Sequence, residues 1–153
     1  MKMTITGADK LVAALLKAQK EVSKELRKGM KEALTEVQEQ AVKDSQYISR
    51  SGNLDRNIQD PNNLEVSPSG TKGKITVHNT TNVPYAYIQH EGGTITAKNS
   101  KYLHFNVEGK WVKTKQVTLK PKKYLTRAMK TMRKKVIEIL NESVNTAIKK
   151  AGL

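Results

Sequence analysis

His78, His90 and His104 are the side chains of this sequence best suited to bind a metal or to move a proton near neutral pH. None stands at metal-ligand spacing from another histidine or from a carboxylate on a helix, and two fall on alternate, outward positions of expected strands. They read as surface or locally hydrogen-bonded groups. Cysteine is absent from the 153 residues, which removes disulfide scaffolds, thiolate zinc sites, iron–sulfur clusters and thiol catalysis together. Serines are numerous, yet no Gly-x-Ser-x-Gly elbow occurs and no Asp or His is placed to activate one. Glu91-Gly92-Gly93-Thr94 lacks the Gly-Lys-Ser/Thr that completes a phosphate loop. The expectation is a protein that is not an enzyme and holds no cofactor or metal.

What the sequence does carry is positive charge. Lys and Arg number 28 against 14 Asp and Glu, for a net charge of +14. Residues 101–153 hold 14 basic and 3 acidic groups, so +11 of the excess lies in the last third. Such asymmetry points to an anionic partner met by one face, with solubility as the plain alternative. On a helix of about 100° per residue, Lys123, Arg127, Lys130 and Lys134 share a sector roughly 60° wide, opposite Leu125, Met129, Met132 and Val136. Lys120 and Lys122 lead into this ridge, which can follow a phosphate backbone without base contacts or face an acidic protein surface. A membrane surface is disfavoured, because the opposite face is needed as core and no aromatic anchor flanks it. Aromatic residues are 5% of the chain, too few for a stacking platform on single strands.

The elements that must hold this ridge follow from periodicity. Leu11, Leu15, Val22, Leu26, Met30, Leu34, Val37 and Ala41 recur at helical intervals and predict an amphipathic helix over residues 10–44, with Asp9 as N-cap and Gly29 as a weak point where the helix could bend. Residues 47–73 lose the period and collect Ser, Gly, Asn, Asp and Pro, the composition of a loop. Between residues 74 and 119, alternation at Ile75-Thr76-Val77, Tyr102–Val107, Lys110–Val112 and Gln116–Leu119 predicts one small antiparallel sheet, with Glu108-Gly109 as a hairpin turn. Leu103, Phe105 and Val107 share its inner face. Leu125, Met129, Met132, Val136, Leu140, Val144 and Ala147 predict a second helix over residues 124–149, closed by Gly152. The order implies a single α+β domain with two long amphipathic helices, N- and C-terminal, packed with the sheet. No run approaches the roughly 18 apolar residues of a membrane span, and Met1–Gly7 lacks the apolar stretch of a secretory signal, so a soluble protein that stays in the cytoplasm is expected.

One family is similar to this arrangement. A long first helix leads into Ser51-Gly52-Asn53-Leu54-Asp55-Arg56-Asn57-Ile58. Val83-Pro84-Tyr85-Ala86-Tyr87-Ile88-Gln89-His90-Glu91-Gly92-Gly93-Thr94-Ile95 follows, then the Trp111 hairpin and Pro121-Lys122-Lys123-Tyr124-Leu125 before the closing helix. Over almost its whole length the chain resembles the tail-completion, or head–tail joining, minor tail proteins of long-tailed bacteriophages, also described as virion morphogenesis proteins. It departs from the family at the junction before the last helix, where an Arg-Pro-Phe-Leu type segment is usual.

The resemblance implies a structural component of a phage or prophage virion, placed in the tail or neck and assembled in the host cytoplasm. It implies contacts with other tail or neck proteins and homo-oligomerisation, with a ring as the natural form. Tyr85, Tyr87, Glu91, Gly92, Gly93 and Thr94 are then candidates for an assembly loop. Residues 89–100 offer little apolar area to offset the cost of ordering the backbone, and are expected to be mobile until a neighbour orders them. The alternative is a sequence-independent nucleic-acid-binding protein of a phage or mobile element, gripping DNA through the basic ridge.

Overall fold

The computed structural model describes residues 8–45, 51–107 and 109–152, with the side chains of the first helix described from Val12 onward. In chain order these form α1 (Ala8–Lys43), α2 (Asn53–Ile58), a 3-10 turn (Pro61–Asn63), β1 (Leu64–Val66), β2 (Gly73–Ile75) and α3 (Ala86–Glu91). β3 (Gly93–Thr96), β4 (Leu103–Val107), β5 (Lys110–Thr114), β6 (Gln116–Leu119) and α4 (Tyr124–Ala151) follow. The fold is α+β, two long helices with small antiparallel sheets.

α1 and α4 lie antiparallel. Lys135 Nζ meets Glu36 Oε2 at 2.6 Å, and Lys150 Nζ meets Glu25 Oε1 at 2.8 Å, so positions that rise along one helix fall along the other. Between these two ion pairs Gly29 is covered by α4, and a Cβ added there would run into the Ser143 hydroxyl. Gly29 therefore serves close helix approach. α1 runs through it as one continuous helix. α1 also starts one residue before Asp9, which lies inside the first turn and not at the cap; its side chain, like that of Leu11, is outside the described residues.

The core gathers Val37 and Ala41 of α1, Leu54 and Ile58 of α2, Val83 and Ala86, and Tyr124, Ala128 and Met132 of α4. Leu54 and Ile58 are one helical turn apart, and Gly52 before them takes φ +68°, so α2 is a short helix inside the segment expected to be a loop. β1 and β2 form a hairpin in the same region, which lays Gly73 against Met30 and Leu34 of α1. Residues 46–50 lie outside the described set.

Two expected apolar stripes are only partly buried. Leu15 is 56% exposed, together with Val12 and Leu16, because α4 ends opposite the middle of α1 and does not reach these residues. On α4 the buried line is Tyr124, Ala128, Met132, Ile139 and Ala147, rotated away from Met129, which is exposed. Small residues at 128 and 147 allow close packing that a stripe of larger side chains would not.

In place of the expected single sheet, the described residues form three two-stranded ladders: β1 with β2, β3 with β6, and β4 with β5. β3 pairs Gly93 with Leu119 and Thr96 with Gln116, so residues 93–96 of the supposed loop are a strand. β2 stops at Ile75, leaving Val77 and His78 beyond it. Gly109 has φ +85° at the end of the β4–β5 hairpin, where Glu108 is outside the described residues. Leu103 and Phe105 are half-buried and Val107 is exposed, so this hairpin borders the core without belonging to it. Gly152 closes α4 in the left-handed conformation, its N–H donating to the carbonyls of Ile148 and Lys149.

Candidate functional site

Two sequence-distant segments meet at the start of α4. β3 and β6 run side by side, which brings the end of α3 beside Pro121 and the residues after it. The N–H of Lys122 donates to the Gln89 carbonyl at 3.1 Å, and that of Lys123 to the His90 carbonyl at 3.0 Å. The last carbonyls of α3 are thereby satisfied by the chain entering α4. Tyr124, only 3% exposed, donates its hydroxyl to the Ala86 carbonyl at 3.1 Å. Burial pushes its phenol up to about 12. The His90 ring stands edge-on to Tyr124, with centroids 4.7 Å apart and an interplanar angle of 86°.

Glu91 ties the same junction electrostatically. Its carboxylate meets Lys123 Nζ and His90 Nδ1, the latter at 2.8 Å. Those partners, Lys123 first, hold the Glu91 carboxyl below the ordinary carboxylate range. Gly92 turns the chain with φ +75° and ψ −176°, a conformation essentially confined to glycine. A Cβ at Gly92 would lie 2.7 Å from Pro121 N and 2.9 Å from Leu119 O.

The six residues expected to form an assembly loop are consequently not a loop. Tyr85 caps α3 and packs half-buried on the core, Tyr87 and Glu91 lie on α3, Gly92 makes the turn, and Gly93 and Thr94 enter β3. Thr94 Oγ1 lies 3.0 Å from Thr118 Oγ1 across the ladder. Of the two tyrosines, Tyr87 faces outward, its backbone N–H held by Asn79 Oδ1 at 2.9 Å.

The basic residues divide in two. Lys122 and Lys123 are half-buried at the junction, Lys123 in the left-handed conformation (φ +48°) with its ammonium on Glu91, so it precedes α4 and turns away from the expected ridge. Arg127, Lys130 and Lys134 are exposed on α4, and among the described residues no carboxylate forms an ion pair with them; Lys120 is exposed after β6. The free face is therefore a row of three cations about 10 Å long. Trp111, 78% exposed on β5, was not singled out as a contact by the sequence pattern. Its signal was one large aromatic on the polar side of Lys110-Trp111-Val112-Lys113.

Among the described residues, no group of three His, Asp or Glu side chains could hold a metal ion, and no helix is long and apolar enough to cross a membrane. No family model matches the chain, and neither a curated protein nor a solved structure does.

Proposed function

We propose that this protein is a non-enzymatic structural component of a tailed phage or prophage, acting in tail completion and the joining of heads to tails. The observation that supports this reading most is the junction itself. The Tyr85–Ile95 and Pro121–Leu125 segments, on which the resemblance rests, pack on each other through Tyr124, Gly92 and Glu91. Residues separated by some thirty positions thus behave as one structural device, as parts of a family signature should. Elsewhere the surface carries outward groups suited to neighbours: Tyr87 on α3, Trp111 on β5 and, at the end of α1 far from the junction, the apolar Val12, Leu15 and Leu16. Such surfaces suit a homo-oligomer, a ring included, and contacts with other neck or tail proteins.

Deleting the gene from a phage that carries it tests the reading. Electron microscopy should then show filled heads and completed tubes left apart, with joining restored by the gene in trans. Infectious particles at wild-type yield would refute it.

A second reading, sequence-independent DNA binding, is favoured by the unpaired row of Arg127, Lys130 and Lys134. Three phosphate contacts would give duplex binding a log–log salt slope of about −3.

A further inference from the structure

α1 carries a second basic stripe, away from α4. Lys20, Lys24, Arg27, Lys28 and Lys31 recur at intervals that keep them within about 100° of the helix circumference, over a length of about 16 Å. The β1–β2 hairpin lies beside this stripe, fixed at Gly70 against Leu26 and Arg27 and at Gly73 against Met30 and Leu34. Between stripe and hairpin runs an open groove of about 700 Å³, walled by Lys24, Arg27, Lys28 and Lys31 on one side and by Leu64–Val66 on the other. It continues along α1 past Pro68 to Lys20 and Leu16.

The β1 side of the groove is a strand edge. Ser67 N–H donates to Lys72 O and Thr76 N–H to Asn63 O, which sets the alternation of the ladder and makes Val66–Gly73 and Leu64–Ile75 its non-bonded pairs. The N–H and carbonyl of Val66 and the carbonyl of Leu64 therefore point away from β2. No other strand among the described residues pairs with β1. Three consecutive residues of β1 line the groove although their side chains alternate in direction, as expected when the backbone edge is the lining. The acidic side chain in the wall, Glu65, lies 3.9 Å from Lys74, and Lys28 has Glu25 at 3.4 Å; the other cations of the stripe have no ion-pair partner among the described residues.

We infer that this groove binds an extended acidic segment of a partner protein, which adds a strand to the free edge of β1 while its carboxylates meet the lysines and arginine of α1. The stripe's length matches about five residues of extended chain. Charge complementarity sets the acidic composition, and the strand edge sets the class of partner, because a duplex would satisfy the cations but not the backbone groups of Val66. The surface is independent of the α4 row and of the phage reading.

Fluorescence anisotropy on the full-length protein, with a labelled peptide of about seven residues alternating Glu and Val, tests this. Saturable binding is expected below about 1 mM. Lys24→Glu, Arg27→Glu and Lys31→Glu together should weaken it at least about tenfold, whereas Arg127→Glu, Lys130→Glu and Lys134→Glu, an equal charge change elsewhere, should weaken it much less. Val66→Pro removes an edge N–H outside the ladder and should cost a similar factor, while Val66→Thr, which keeps the N–H, should not. The same peptide N-methylated at alternate residues should bind the wild type no better than it binds Val66→Pro. No saturable binding, equal losses from the two charge reversals, or full affinity for the N-methylated peptide would overturn the inference. So would a duplex of about 20 base pairs that binds more tightly than the peptide and is lost with the α1 reversal.

Discussion

The Tyr124 hydroxyl donates to the Ala86 carbonyl at 3.1 Å inside the core, joining the first turn of α4 to the first turn of α3. Both residues are almost without solvent contact, so water does not compete for this bond. A phenol at this position supplies apolar bulk for the core and a second donor to a carbonyl that already accepts within α3.

Tyr124→Phe keeps the ring and removes the donor. The loss should be about 0.5–1.5 kcal/mol, the net worth of one hydrogen bond, because the Ala86 carbonyl keeps its bond within α3. For a chain of this size that lowers Tm by about 2–4 °C per kcal/mol. A melting curve superimposable on wild type would show that the bond contributes nothing.

Gly92→Ala should destabilise more than Gly109→Ala, although both glycines have positive φ. A methyl group at Gly92 meets Pro121 and Leu119 backbone atoms, whereas nothing lies within 4 Å of one at Gly109. The Gly109 change should cost about 1–2 kcal/mol from its backbone conformation alone, and the Gly92 change that plus steric displacement of the junction. Urea denaturation of both variants compares them directly, and equal midpoints would contradict the close approach.

Met132→Ala should cost about 2–4 kcal/mol, as expected for a large core side chain, and Leu103→Ala less, because Leu103 sits half-buried on the peripheral β4–β5 hairpin. Equal losses would place the hairpin in the core.

The contrast between Met132 and Leu103 also shows what was legible in the sequence. Long helices declare themselves, since the 3.6-residue period is repeated over many turns, and α1 and α4 were readable to within about two residues at each end. α2 was hidden because its six residues offer one apolar pair, Leu54 and Ile58, within a Gly- and Asn-rich stretch. The division into three ladders was not readable, because the β3–β6 pairing joins strands about 20 residues apart and local alternation carries no record of partner choice. At the candidate site, the basic row on α4 was visible as helical spacing. The withdrawal of Lys123 to Glu91 was not, for it depends on α3 lying beside the entry to α4.

Stability should fall at both ends of the pH range, for opposite reasons. Glu25 has its carboxyl held below the ordinary value of 4.5 mainly by the hydrogen bond from Lys150, and Glu91 likewise by Lys123. Each takes up a proton less readily folded than unfolded. Their contribution is therefore complete above the unfolded value and is lost as pH falls below 4.5 toward the lower folded values. Tyr124 is the reverse case: burial raises it from 10.0 to about 12, so the folded state keeps a proton that the unfolded state releases. Its contribution is complete below pH 10 and is lost between 10 and about 12. Lys135, its pKa raised by the hydrogen bond to Glu36, also contributes at high pH, so the test is a difference. Denaturation midpoints of wild type and Tyr124→Phe should converge as pH rises above 10, and those of wild type and Glu91→Gln as pH falls below 4.5. Parallel curves in both comparisons would mean that neither group's ionisation is coupled to folding.

Replacing Arg127, Lys130 and Lys134 together by Glu changes the charge by six units on an exposed face, so the far-ultraviolet spectrum should be that of the wild type. Any anionic partner of that face should be lost. Lys123→Glu belongs to a different class, because it opposes Glu91 and disturbs the α3–α4 junction; it should lower Tm as well as any binding. If that partner is duplex DNA, binding by the wild type should weaken with salt at a log–log slope of about −3 and show no preference among sequences. On the phage reading, the triple variant should form tubes and filled heads that remain apart. If that variant joins heads to tails and retains the salt-dependent duplex binding, the α4 row is a solvated face.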